Sequence, residues 1–175
     1  MQIINSTEQD IETIFKFYDD AIAYQKIKFN KHWQGFDIGL IETEIQEKRQ
    51  YKIVVDNVIV CVFAVTFNDF IIWGEKDKEP SIYLHRIVTK PGFRGNGYVK
   101  NIIDWAVNYG KENSKQFVRL DTWGDNQKLI EYYTNCGFTF LGLTGEIISA
   151  DLPKHYQSLY LSLFEIAINH DELAV

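Results

Sequence analysis

Apolar residues recur along the chain with two different periods, and the change from one period to the other marks the boundaries of the elements. Helical spacing predicts a first helix that ends between Ala23 and Lys28. This helix is predicted to begin at Ser6, because Ser6 and Gln9 have the spacing of a capping box. A second helix is predicted over Leu40–Arg49.

Runs that are rich in β-branched and aromatic residues predict the strands. These runs are Met1–Asn5, Tyr51–Val55, Val58–Phe67, Ser81–Thr89, Phe117–Trp123, Phe138–Leu143 and Leu159–Ile168. Asp56 and Asn57 fit a two-residue hairpin turn, because both residue types tolerate positive φ. Phe70–Trp73 is predicted to extend the strand before it or to form a short strand of its own. The last run is long enough for the centre of a sheet, and it is also a candidate edge for a homodimer.

The clearest helical pattern covers Gly97–Gly110, where apolar residues form one continuous stripe. Its members are Val99, Ile102, Ile103, Ala106, Val107 and Gly110. A further helix is predicted from Gly124 to about Cys136, with Gly137 as the residue that ends it. The order β-α-α-β-β-β-α-β-α-β-β predicts an α/β fold (α+β in some schemes) with a mixed sheet. Because the 175 residues contain no repeat or linker, a single domain over residues 1–175 is expected.

Composition narrows the functional classes. The chain has 18 basic and 24 acidic residues, and this net charge of −6 disfavours a nucleic-acid partner. No apolar run approaches the ~20 residues that a membrane span requires. Without a signal-peptide pattern, no membrane partner and a cytoplasmic location are expected. Cys61 and Cys136 lie in apolar runs and are expected to be buried free thiols in a reducing compartment.

A glycine-rich turn between a strand and a helix carries the first chemical signal. It reads Pro-Gly-Phe-Arg-Gly-Asn-Gly-Tyr-Val over residues 91–99. Exposed amides at a helix N-terminus attract phosphate, and glycines let the backbone approach its oxygens. The pattern lacks the GxxxxGK[ST] of a P-loop and the third glycine of a GxGxxG dinucleotide site. A different phosphate-bearing ligand is therefore expected here.

This turn resembles the R/Q-x-x-G-x-G/A signature of the GNAT superfamily of acyl-CoA-dependent N-acyltransferases. Upstream stands L-x-R-I-x-T-x-P, similar to the family's strand before the turn. Downstream, Asn126 and Tyr133 match the family's N-x6-Y spacing, and Tyr133-x3-Gly137-Phe138 matches its Y-x3-G-F ending. The resemblance covers Ser81–Gly142, the expected cofactor-binding core. It implies a mixed, mostly antiparallel sheet of about seven strands that is splayed in the middle, with helices on both faces.

The resemblance also implies acetyl-CoA, or coenzyme A, as the cofactor. The residues implied in its binding are Ile87, Val88, Thr89, Arg94, Gly95, Asn96, Gly97, Tyr98, Val99, Asn126 and Tyr133. The loop amides would hold the pyrophosphate, and the backbone of Ile87 and Thr89 would pair with the pantetheine arm. Val99 departs from the family pattern, which has Gly or Ala at this position. We interpret it as tolerated, because Val99 also belongs to the apolar stripe of its helix.

Direct transfer to an amine requires a base for the nitrogen and a donor for the leaving thiolate. Tyr133 matches the family's tyrosine near the sulfur, although Tyr133 and Tyr132 are both candidates for a purely packing role. Asp121 and His85 are candidate bases, and a water relay is the third alternative. Asp121 would otherwise be a partner of Arg119, Arg86 or a backbone donor. Arg86 is expected to be a structural charge partner rather than a catalyst.

The aromatic residues are candidates for the wall of an acceptor pocket, or equally for the core. Those selected are Trp33, Phe36, Trp73, Trp123 and Tyr156. His32 and His155 have no ligand partners at metal spacing, so no metal is expected. The predicted function is acetyl transfer from acetyl-CoA to a primary amine of a small molecule, amino acid or peptide. The alternative is an acyl-CoA-binding sensor of the same fold without efficient turnover.

Overall fold

The computed structural model describes residues 1–29, 32–124, 126–146 and 160–170. Its strands are β1 (Gln2–Asn5), β2 (Gln50–Val55), β3 (Val58–Thr66), β4 (Ser81–Thr89), β5 (Phe117–Trp123), β6 (Thr139–Leu143) and β7 (Leu161–Ala167). Its α-helices are α1 (Ile11–Lys28), α2 (Ile38–Gln46), α3 (Phe70–Trp73), α4 (Tyr98–Glu112) and α5 (Gln127–Asn135). No helix in these ranges combines the length and the apolar character that crossing a membrane requires.

The seven strands have the order β1-β2-β3-β4-β5-β7-β6. β4 and β5 are parallel, whereas the pairs β1–β2, β2–β3, β5–β7 and β6–β7 are antiparallel. The predicted mixed, mostly antiparallel sheet is therefore confirmed. The predicted hairpin turn is also confirmed, since Asp56 and Asn57 have φ of 48° and 62°.

The predicted start of the first helix was wrong, because α1 begins at Ile11 rather than at Ser6. A short 3₁₀ helix covers Glu8–Asp10, and the capping box is formed by Thr7 and Asp10. Asp10 Oδ2 accepts from the backbone N of Thr7 at 2.7 Å. Ser6 is not free to cap, because its backbone N–H donates to the carbonyl of Gln50 and continues the strand pairing.

Two predictions for later segments were also wrong. Phe70–Trp73 is a short helix, because the backbone N–H groups of Ile72 and Trp73 donate to the carbonyl of Asp69 and close a helical turn. Of the two positions predicted for the final strand, the central one is confirmed and the edge for a homodimer is wrong, because β7 pairs with β5 on one side and with β6 on the other. Cys61 is a buried free thiol as expected, whereas Cys136 is only half-buried.

The chain divides into two compact units. The first comprises residues 1–65 and 86–98. Its core lies between α1, α2 and the strands, and comprises Ile14, Phe17, Tyr18, Ala21, Ile41, Ile45, Val62 and Val88. The burial of these apolar side chains is the main force that holds the two helices to their sheet segment.

A buried ion pair crosses the core of the first unit. The guanidinium of Arg86 bonds both carboxylate oxygens of Glu44 and lies 5.3 Å from the ring centroid of Phe36. Burial opposes the charge of Arg86, but attraction to the Tyr18 oxygen and to Glu44 outweighs it and raises the pKa of the guanidinium. The prediction that Arg86 is a structural charge partner is consistent with these contacts.

The second unit comprises residues 66–85 and 99–175. Successive side chains of a strand point to opposite faces, and directly paired residues share a face. Arg119, Asp121 and Trp123 therefore share one face of β5 with Leu163, the partner of Asp121. On this face Trp73 of α3 packs with Tyr83 and Leu161.

The opposite face of the same strands carries Leu120 and its partner Phe164. The ring of Tyr133 on α5 lies 5.4 Å from that of Phe164, centroid to centroid. Phe138 also contacts the Phe164 ring at this face. Two different helices, α3 and α5, therefore lie on opposite faces of β5 and β7.

We predict that Glu44→Gln lowers the free energy of unfolding by roughly 3 to 5 kcal/mol, because it leaves the guanidinium of Arg86 buried without a countercharge. The measurement is urea-induced unfolding at pH 7. Glu47→Gln is the matched control, since the Glu47 side chain is 54% exposed and pairs with Arg49 at the surface. Its cost should stay below about 1 kcal/mol. Equal losses in the two variants would contradict the structural role of the Arg86–Glu44 pair.

Candidate functional site

The parallel pair β4–β5 stops early. Its register joins Ser81–Tyr83 to Phe117–Arg119, although β4 runs on to Thr89 and β5 to Trp123. Beyond this point, the backbone groups of the two strands are not paired to each other. The splay that the family resemblance implied is therefore present in the structure.

A change in the backbone of β4 coincides with this splay. Arg86 has φ of 48°, in the left-handed region that a non-glycine residue rarely adopts. Such a residue interrupts the extended geometry of a strand, as a β-bulge does. His85, the residue before it, lies in the part of β4 beyond the last residue that pairs with β5.

Three titratable side chains lie close together near the place where the pairing of β4 with β5 ends. They are Asp69, His85 and Asp121, and one side-chain ligand atom from each lies within 4.8 Å of the others. His85 Nε2 is 3.4 Å from Asp69 Oδ2, and the two side chains are only 18% and 11% exposed. We call these three residues the acid–histidine cluster. It unites the two candidate bases predicted from the sequence.

The cluster is electrostatically unusual. Burial raises the pKa of Asp121 to about 6, the nearby imidazole of His85 opposes this increase, and the carboxylate of Asp69 adds to it. Asp69 Oδ2 is shielded from solvent and has no hydrogen-bond partner among the described residues. Arg119 forms ion pairs with Glu79 and Glu165, which lie outside the cluster. A carboxyl group that titrates near neutral pH is suited to proton transfer.

Tyr133 lies on the other side of the sheet from Asp121. Its ring packs against Phe164, whereas the side chain of Asp121 shares the opposite face with Leu163. Tyr133 is half-buried and its neighbour Tyr132 is 44% exposed. The candidate proton donor and the candidate bases therefore occupy opposite faces of the second unit's strands.

The glycine-rich turn has the backbone that its sequence predicts. Gly95 and Gly97 have φ of 84° and 74°, and an added Cβ at either would meet no atom within 4 Å. Positive φ thus requires glycine here, and open space surrounds the turn. Among the described residues, the backbone amides of Arg94–Gly97 donate to no protein acceptor.

The helix that follows the turn completes a suitable phosphate cradle. α4 begins at Tyr98 and carries no acidic residue in its first turn. The first N–H groups of a helix lack intrahelical acceptors, and its dipole favours an anion. The guanidinium of Arg94 lies 4.3 Å from the ring centroid of Tyr24, and the Asn96 side chain donates to the carbonyl of Phe93. These residues fit the pyrophosphate of coenzyme A.

The other residues implied in cofactor binding have diverse surroundings. Val88 lies in the core of the first unit, Ile87 is half-buried, and Thr89 Oγ1 lies 3.6 Å from Cys61 Sγ. Burial raises the pKa of the Cys61 thiol to about 11, so Cys61 remains a protonated, unreactive group. The Asn126 side chain accepts from the N–H groups at the start of α5, which is its capping role.

The predicted acceptor aromatics do not form one group. Trp33 and Phe36 pack with the core of the first unit, whereas Trp73 and Trp123 pack together in the second. Tyr156 lies outside the described residues. Trp73 also lines an open cavity of about 490 Å³, together with Ile71, Ile72, Gly74, Thr144, Gly145, Glu146 and Leu163.

Sequence reasoning missed Asp69 and the cavity beside α3. Asp69 stands in an Asn-Asp pair before an apolar tetrapeptide, which is typical of an ordinary turn. No spacing rule relates it to His85 or Asp121, because the three residues come from three segments. The expectation that no metal binds stays a prediction, since imidazole and carboxylate groups are also ligands of divalent cations.

We predict that Asp121→Asn stabilises the protein in a pH-dependent way. The folded-state pKa of Asp121 is raised from 3.8 to about 6, so its contribution to stability is fully present below 3.8 and is lost as the pH rises through about 6. Relative to the wild type, the variant should gain about 1 to 3 kcal/mol between pH 4 and pH 7.

The measurement for this prediction is urea-induced unfolding across that pH range. Asp104→Asn on α4 is the control, because it makes the same substitution at an exposed position. A constant difference for Asp121→Asn would show that Asp121 does not titrate near pH 6.

Comparison with known proteins agrees with these features. The model of the acetyltransferase (GNAT) family matches residues 15–138. The chain is also similar to the uncharacterized N-acetyltransferase YesJ of Bacillus subtilis (strain 168). The two are 26% identical over 142 residues, which cover 77% of this chain and 79% of YesJ.

Solved structures show the same fold. A GNAT-family acetyltransferase from Listeria monocytogenes 4b F2365 has a TM-score of 0.77 at 22% identity, covering 95% of this chain and 94% of that one. The putative acetyltransferase yncA from Salmonella typhimurium, solved with acetyl-CoA, has a TM-score of 0.68 at 11% identity, covering 97% and 94%. The family model covers more than half of the chain, and on this ground the protein belongs to the acetyltransferase (GNAT) family.

Proposed function

We propose that this protein transfers an acetyl group from acetyl-CoA directly to a primary amine of a small molecule, amino acid or peptide. The observation that carries the proposal is the acid–histidine cluster beyond the last paired residues of β4 and β5. The family membership supports the reaction class, and the open glycine turn supports the cofactor. The whole chain, residues 1–175, would act as one catalytic domain.

The cofactor would be held mainly by backbone groups. The free amides from Arg94 to Val99 would bind the pyrophosphate, helped by the α4 dipole. Ile87 and Thr89 would offer backbone groups to the pantetheine arm where β4 no longer pairs with β5. Acetyl-CoA supplies an activated acyl group, whose C–S bond breaks as the C–N bond to the amine forms.

The residues of the cluster would manage the amine proton. A protonated amine is not nucleophilic, so one proton must leave the nitrogen before or during attack. Asp121 or His85 would take that proton, and the carboxylate of Asp69, 3.4 Å from His85 Nε2, would stabilise the imidazole once it is protonated. Tyr133 would supply a proton to the leaving sulfur from the opposite face, and proton exchange with water would then restore both groups.

The proposed function is tested by acetyl-CoA binding together with turnover. We expect saturating acetyl-CoA, at 100 times its Kd, to stabilise the protein by about 2.7 kcal/mol, measured as an increase in Tm. Purified protein should also acetylate at least one amine in a broad panel, measured by release of the free thiol. Asp121→Asn should keep the increase in Tm and lose on the order of 100-fold in kcat.

The same assays distinguish the alternative function. An acyl-CoA-binding sensor would show the increase in Tm without transfer to any amine. Absence of both results would overturn the cofactor assignment. Treatment with EDTA should leave turnover unchanged, in line with the prediction that no metal takes part.

We predict that Tyr133→Phe lowers kcat by about 10- to 1000-fold, because the phenol is the proposed donor to the leaving sulfur. The KM for acetyl-CoA should change little, since the ring and its contact with Phe164 remain. Tyr132→Phe is the matched control, because Tyr132 is adjacent and 44% exposed. An unchanged kcat in Tyr133→Phe would remove Tyr133 from this role.

A further inference from the structure

One cavity of the second unit has the size of a small-molecule binding site. It has a volume of about 490 Å³ and opens to solvent. Its walls combine apolar side chains, with Ile71 and Ile72 from α3 and Leu163 from β7. A cavity of this size accommodates a small organic molecule.

The cavity adjoins the acid–histidine cluster through two separate segments. Leu163 is the direct cross-strand partner of Asp121, so the two side chains share a face and lie next to each other. Ile71 and Ile72 follow Asp69 after one intervening residue, and the carbonyl of Asp69 accepts from the N–H groups of the α3 turn. An amine seated in the cavity is therefore beside the proposed base.

The described residues around the cavity include several acidic groups. Among the described residues that line it, Glu146 is the only ionisable one. The adjacent cluster adds two carboxylates against one imidazole. Arg119, the buried cation on the same face of β5, is already engaged by Glu79 and Glu165. A carboxylate on the acceptor would therefore meet like charge, and the lining residues that the structure describes include no cation to offset it.

Trp73 is an uncharged aromatic residue in the wall of the cavity. The side chain is only 4% exposed, and its indole Nε1–H has no hydrogen-bond partner among the described residues. Its ring packs on Tyr83 and under the guanidinium of Arg119, which fixes its position. One part of the cavity wall is therefore a rigid aromatic ring beside the aliphatic side chains of Ile71, Ile72 and Leu163.

We propose that the acceptor is a primary amine on an apolar body with no carboxylate beside the nitrogen, and that it binds in this cavity. The ammonium group would face Asp69 and Asp121, and the apolar body would pack on Ile71, Ile72 and Leu163. Free α-amino acids would be poor acceptors, because their carboxylate lies next to the nitrogen. This inference rests on the proposed acetyl transfer.

Three probes isolate the charge of the acceptor, namely 2-phenylethylamine, phenylalanine and phenylalaninamide. We expect kcat/KM for 2-phenylethylamine to exceed that for phenylalanine by at least about tenfold, because like charges in a partly buried site repel strongly. Phenylalaninamide has the same bulk without the carboxylate, and it should recover most of the difference. Equal values for 2-phenylethylamine and phenylalanine would overturn the inference.

A pair of neighbouring variants tests the location. Ile71→Ala removes part of the wall and should raise the KM for 2-phenylethylamine about 3- to 10-fold, with an unchanged KM for acetyl-CoA. Phe70→Ala is the matched control, since Phe70 is 61% exposed and does not line the cavity. Equal KM values in Ile71→Ala and the wild type would overturn this location.

The assays with acetyl-CoA distinguish failure of the acceptor proposal from failure of the proposed function. Transfer to amines without the expected charge preference overturns only the acceptor class, and the proposed function stands. Absence of transfer to every amine, with or without an increase in Tm, overturns the proposed catalysis and this inference with it.

Discussion

The early end of the β4–β5 pairing is the constraint on which the candidate site depends. Two parallel strands that paired along their whole length would occupy their own backbone groups along that length. The register instead stops at Tyr83 and Arg119. The left-handed backbone of Arg86 coincides with this end, and it persists because the buried Glu44 holds the Arg86 side chain. Local strain of this kind survives only where surrounding contacts fix it.

The buried charged side chains have two different roles, since some are paired within the core and others are candidates for proton transfer. Arg86 has Glu44 as its partner, and Arg119 has Glu79 and Glu165. Both guanidinium groups are thereby neutralised, and neither is left to bind substrate. The acid–histidine cluster has two carboxylates for one imidazole, and its ion pair among the described residues is internal, between His85 and Asp69. Negative charge that the described residues leave uncompensated is costly for folding and suited to accepting a proton from a cation.

The sequence predicted those features that depend on local pattern. The boundaries of β4 and β5 and the Asp56-Asn57 turn follow from short-range rules that the structure obeys. Features that depend on distant partners were missed. Phe70–Trp73 is too short to show a helical period, and Asp69 joins its cluster only through the fold. For β7 the sequence left a central and an edge position open, and only the pairing with β5 and β6 decides between them.

The same distinction explains why the cofactor is easier to infer than the acceptor. Backbone amides and positive-φ glycines recognise phosphate, and glycines at fixed offsets are visible in a sequence. The proposed acceptor contacts come instead from side chains of α3, β5 and β7, which lie far apart along the chain. Because Tyr133 contacts the opposite face of these strands, changes in the α3 wall can alter acceptor choice without touching the proposed proton donor. Acceptor choice can therefore diverge between relatives that keep the glycine turn.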